Sequence, residues 1–65
     1  MKKSYTIVLK METPRGRVAR HPYIYKYTTY HKAIYMAKQK IAELLDKGYA
    51  RVSIEHVTEW ENPWF

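Results

Sequence analysis

The sequence predicts an α+β fold in one small domain, residues 1–65. The order is β-β-α-β, a three-stranded antiparallel sheet in strand order 2-1-3 with one helix packed on one face. Three observations predict it. Apolar residues alternate in two stretches near the two ends of the chain, the period of a strand with one buried face. Between them a longer stretch repeats its apolar residues at helical spacing. Turn chemistry at "ETPRG" and at Gly48 divides these segments.

The first strand is "SYTIVLKM", residues 4 to 11. Tyr5, Ile7, Leu9 and Met11 share one face, and Thr6, Val8 and Lys10 the other. It is the most apolar strand, so it takes the centre of the sheet. In the turn, Pro14 presets φ and Gly16 tolerates the exit. "RVARHPYIYKYT" resumes an extended pattern, and Pro22, which has no backbone donor, marks this second strand as an edge. Thr28 or Thr29 caps the helix. Tyr30, Ile34, Ala37, Ile41, Leu44 and Leu45 form its apolar stripe, with Lys32, Gln39 and Glu43 opposite. Gly48 ends it at the C′ position. "YARVSIEHV" is the third strand, with Ala50, Val52 and Ile54 on one face. A third strand lying beside and parallel to the second, through a right-handed crossover, is the alternative topology.

The stretch "HPYIYKYTTYHK" holds four of the seven tyrosines, and Tyr23, Tyr25 and Tyr27 alternate. If these three face the helix, Ile24, Lys26 and Thr28 face out. The opposite parity buries a lysine and exposes three rings. Binary patterning therefore assigns the tyrosines to the core, with a base-stacking platform as the alternative.

A chain of this length buries only about 60% of its unfolded surface. There is no cysteine, so neither a disulfide nor a thiolate-bound zinc reinforces the core, which fits a cytoplasmic protein. The opening "MKKSYTIVLKMETPR" has too short an apolar run, interrupted by Lys10, for a signal peptide, and no stretch suits a membrane span. The net charge of +6 is uneven: residues 1–40 carry +9 and residues 41–65 carry −3. A basic half favours a polyanionic partner, either nucleic acid or an acidic protein surface.

Three groups of residues are candidate sites. On the hairpin, Arg15, Arg17, Arg20 and His21 crowd a projecting ribbon with Lys10 near its base. Arginine suits phosphate because its planar fork donates twice and stays charged. At the helix start, Lys26, His31 and Lys32 lie near free N–H groups, an arrangement suited to an anion. In the tail, Trp60, Trp64 and Phe65 pack on the domain or form a protein interface, including a homodimer. The bland readings are a solvated turn, exposed charges that ignore the helix dipole, and a tail that supplements a small core.

Nothing points to an enzyme. His21, His31 and His56 have no metal-ligand spacing, and Ser4 and Ser53 lie in no nucleophile motif. Glu55 and His56 adjoin, so strand alternation sends them to opposite sides. No cofactor or metal is expected. The leading expectation is a small basic binding protein that takes nucleic acid through its arginine hairpin. The alternative is a protein-interaction module or inhibitor, in the style of phage accessory proteins, occupying an acidic or nucleic-acid-binding groove of its partner. A small ribonuclease built on His, Lys, Arg and Tyr comes third.

Overall fold

A computed structural model of the protein describes residues 3–60. Strand β1 spans Lys3–Glu12, β2 Val18–Thr28 and β3 Arg51–Trp60, and helix α1 spans Tyr30–Asp46. The sheet order is β2-β1-β3, with β1 antiparallel to both neighbours. The two outer strands therefore run parallel to each other, and α1 links them across one face. The alternative of β3 beside β2 is not adopted.

The core follows from the alternation of β1. Tyr5, Ile7, Leu9 and Met11 are buried beneath α1, with Ile7 and Leu9 at 0% exposure. From the helix, Ala33, Ala37 and Leu44 are buried, and Ile34 and Ile41 pack against them. The stripe is thus narrower than the sequence pattern suggests. Tyr30 and Leu45 are exposed at its margins, although the Tyr30 ring meets Tyr5 edge-on at 5.9 Å. Ala33 and Ala37, one turn apart, are both fully buried against the sheet, and their small side chains permit a close approach.

Each end of α1 is closed by its own residues. Thr29 is the N-cap, its hydroxyl oxygen accepting from the Lys32 N–H. At the other end Gly48, at φ 112°, donates to the Leu45 carbonyl, and the Tyr49 N–H reaches the Leu44 carbonyl. This is the Schellman arrangement, with Gly48 in the left-handed conformation that glycine adopts without penalty. Tyr49 therefore belongs to the helix cap, and β3 starts two residues later than the pattern suggests. Ala50 stays exposed before that start, its N–H donating to the Glu12 carbonyl.

Two bulges break the alternation. On β2, the pairing moves from Tyr5–Tyr25 to Lys3–Thr28, so Lys26 and Tyr27 together oppose Ser4. Tyr27 has φ 57°, a left-handed conformation that costs a side-chain-bearing residue about 1–2 kcal/mol. Tyr23 and Tyr25 pack against the core as expected, but Tyr27 turns out to 61% exposure and Thr28 turns in and is buried. The tyrosine row is two residues of core edge plus one exposed ring, because the chain must twist out of the strand to enter α1. On β3, Val8 pairs with His56 and Leu9 with Ile54, leaving Glu55 as the extra residue. The shift keeps Val52, Ile54 and Val57 all against the core. It also cancels the alternation expected of Glu55 and His56.

Two substitutions test the assignment of faces. Ile7→Ala should destabilise by about 2–5 kcal/mol, the usual range for truncating a buried aliphatic side chain. Ile24→Thr, on the open face and 55% exposed, should change stability by no more than about 0.5 kcal/mol. Chemical denaturation of the two variants checks the pair, and equal losses would contradict the faces described.

Candidate functional site

The hairpin loop is built for rigidity. Pro14 and Arg15 form the centre of a turn closed by the Gly16 N–H donating to the Thr13 carbonyl at 2.9 Å. Gly16, at φ 87°, returns the chain to β2, a three-residue hairpin loop ending in a left-handed residue. The Thr13 N–H donates to the Arg17 carbonyl at 2.8 Å, and the Arg17 N–H donates to the Thr13 hydroxyl at 3.1 Å. Arg15 and Arg17 are exposed on this frame. Neither forms an ion pair among the described residues.

Arg20 behaves differently. Its Nε donates to both carboxylate oxygens of Glu55, at 2.9 and 2.7 Å. Arg20 is on β2 and Glu55 is the bulge residue of β3, so the pair spans the open face over β1. Unlike Arg15 and Arg17, Arg20 is thus held by a carboxylate. Lys10 is partly buried on that face, paired across the ladder with Arg20 and Ser53. His21 lies on the helix side, opposite Leu9, with its ring 4.6 Å from Tyr23. It does not join the loop. Beyond it, Lys40 of the helix stands over the Tyr23 ring at 5.6 Å.

The second candidate group sits at the far end of the sheet. Lys26 is in the β2 bulge, and His31 and Lys32 are exposed in the first turn of α1. The molecule measures 41 Å along its longest axis, and this group and the hairpin loop occupy its two ends. The sequence-predicted basic residues thus form two separate patches. No acidic residue occupies the first turn of α1.

The end near α1's first turn is also organised by Glu59. Its carboxylate accepts from Lys3 Nζ at 3.2 Å and from the Tyr5 hydroxyl at 3.0 Å. The hydrogen bonds from Lys3 and Tyr5 lower the Glu59 pKa. Burial, followed by the bond to Glu59, raises that of Tyr5, and burial raises that of Tyr25 opposite it. On the open face Trp60 is partly buried, its indole N–H donating to the Thr6 hydroxyl at 3.2 Å. Trp64 and Phe65 lie outside the described residues.

Sequence reading missed two contributors near the hairpin. Tyr49 and Lys47 line an open recess with Thr13 and Gly48. The Gly48 cap signal, followed by a tyrosine at the next position, would have located it. Among the described residues no group of three or more His, Asp or Glu is placed to hold a metal ion, and no helix is long and apolar enough to cross a membrane. No family model matches the chain, and no curated protein or solved structure matches it.

The Glu59 contacts give a pH dependence with a defined sign. A carboxyl whose pKa is lower in the fold contributes stability that is present above its unfolded value, near 4.5, and is lost as pH falls through the folded value. For Tyr5 and Tyr25 the pKa is raised, so stability is intact below about 10 and is lost as pH climbs beyond it. Glu59→Gln should flatten the acid limb of a melting-temperature profile and weaken the alkaline limb without abolishing it, because burial still raises the pKa of Tyr5 and of Tyr25. An acid limb identical to that of the unsubstituted protein would show that Glu59 does not shape it.

Proposed function

We propose that the protein is a non-enzymatic nucleic-acid binder that docks its hairpin loop on phosphates. One observation carries this reading: Arg15 and Arg17 stand exposed on a braced turn with no carboxylate partner among the described residues. The turn is ordered before any ligand arrives, so binding does not have to order it. The braced backbone presents two guanidinium groups, each able to donate twice to phosphate oxygens. The uneven charge along the chain, +9 over residues 1–40, supports the same partner class and steers its approach. The composition, free of cysteine, suits action in a reducing cytoplasm.

A second reading has its own observation. The open sheet face exposes Ile24 and Val18, and no helix or strand among the described residues covers it. That surface suits a protein partner, with the loop arginines meeting an acidic groove. In that case the protein acts as an interaction module or inhibitor.

Titration with labelled duplex DNA, single-stranded DNA and RNA over a salt series separates the two. Arg15→Gln with Arg17→Gln should leave the melting temperature almost unchanged, because exposed charges contribute little to stability. It should make the log–log salt slope shallower by up to about two, one unit per phosphate contact. Arg20 stays out of this variant, because its loss would also break the Glu55 pair. Absence of binding to all three nucleic acids at low salt would refute the leading reading in favour of the second.

A further inference from the structure

We propose that the recess between the hairpin loop and the end of α1 takes one unpaired nucleobase, so that the preferred ligand is single-stranded nucleic acid. This rests on the nucleic-acid reading above and names the form of the ligand.

The recess is lined by Thr13, Lys47, Gly48 and Tyr49, is open to solvent, and has a volume of about 390 Å³. Its walls are fixed from both sides. Thr13 carries the hydrogen bonds that close the hairpin loop. Lys47, Gly48 and Tyr49 are held by the helix cap, and Tyr49 packs against the core while staying only half-buried. Tyr49 thus has its backbone in the helix cap and its side chain against the core, and it is the aromatic member of the lining.

Three basic residues stand in or next to this lining. Arg17 is bonded directly to Thr13, and Arg15 precedes it on the same exposed turn. Lys47 lies in the lining itself, with Glu43 at 3.7 Å as a solvent-exposed partner. A flat ligand with a π face and an adjoining negative charge matches this combination, and a nucleotide has both. A base within a duplex is already paired and stacked, so its face is not available. A base in a single strand is free to stack on Tyr49 while its flanking phosphates reach Arg15 and Arg17. The hydroxyl of Thr13 and the ammonium of Lys47 supply polar contacts at the rim without selecting one base. Sequence-tolerant binding follows.

The test uses the full chain and fluorescence anisotropy at low salt, with a short oligothymidine, the matching oligouridine, an abasic strand of equal length and charge, and a blunt duplex. The unsubstituted protein should bind the base-bearing strands at least about fivefold more tightly than the abasic strand, the lower end of what one stacked base contributes. Adding a single-stranded overhang to the blunt duplex should tighten its binding. Tyr49→Phe should keep the preference for bases, and Tyr49→Leu should erase it without altering the salt slope. The abasic comparison needs no variant, so it decides even if Tyr49→Leu fails to fold. If base-bearing and abasic strands bind alike, with the salt slope still dependent on Arg15 and Arg17, the recess holds no base and the hairpin reading survives. If none of the four ligands binds, both readings fall together.

Discussion

Everything in this protein depends on how one helix covers a three-stranded sheet. A helix with a stripe as narrow as Ala33, Ala37 and Leu44 reaches one row of a sheet fully, and that row is Tyr5, Ile7, Leu9 and Met11 of β1. The outer strands receive partial cover, which is why Tyr23, Tyr25, Val52, Ile54 and Val57 are only partly buried around the central row. The opposite face receives no helix or strand among the described residues. The chain holds that face together with polar and aromatic links instead: Arg20 to Glu55 across β1, and the Trp60 indole to Thr6. The first link joins the two outer strands, which share no ladder, and the second adds to the pairing of β1 with β3.

The same arrangement sorts the charge. Of the cations near the sheet, Lys3 and Arg20 meet carboxylates of β3, and Lys40 and Lys47 meet Glu43. Glu55 and Glu59 of β3 thus offset basic residues of the other two strands, and Glu43 offsets lysines of its own helix and cap. Arg15 and Arg17 lie beyond the end of this pattern, on a loop where β3 has no acidic residue to offer. At the nearest rung of the ladder, Glu12 of β1 stands opposite Arg51 of β3, and neither loop arginine forms an ion pair among the described residues.

Much of the fold was legible because it rests on local rules. The alternation of β1, the Pro-Gly turn, the threonine cap and Gly48 each act within a few residues of sequence. The two bulges were not legible. Nothing in "YKYTT" announces that Tyr27 adopts a left-handed backbone, since asparagine or glycine would be the usual signal. The extra residue at Glu55 is visible only once β1 fixes the register. The site was less legible than the fold for the same reason. Arg20 and Glu55 are 35 residues apart in sequence, and their pairing exists only because an intervening strand separates them by a fixed distance. His21 and Arg20 face opposite ways because they are neighbours in a strand, and His21 packs on Tyr23 instead. The stripe was drawn too wide because Ala33 carries little hydrophobic weight, although its small size is what a close helix needs.

The strand order has a further consequence for how the chain acquires this structure. The central strand comes first in sequence, one of its neighbours follows after a short loop, and the other is the final described element. The β1–β2 hairpin closes locally, but pairings such as Tyr5 with Glu59 bring together residues from near opposite ends of the described chain. Joining distant segments has an entropic cost that local pairing avoids. The Arg15–Arg17 loop is closed by the local contacts of the hairpin, whereas Tyr49 is held by the helix cap and the core. The two sides of the recess therefore rest on contacts of different range along the chain.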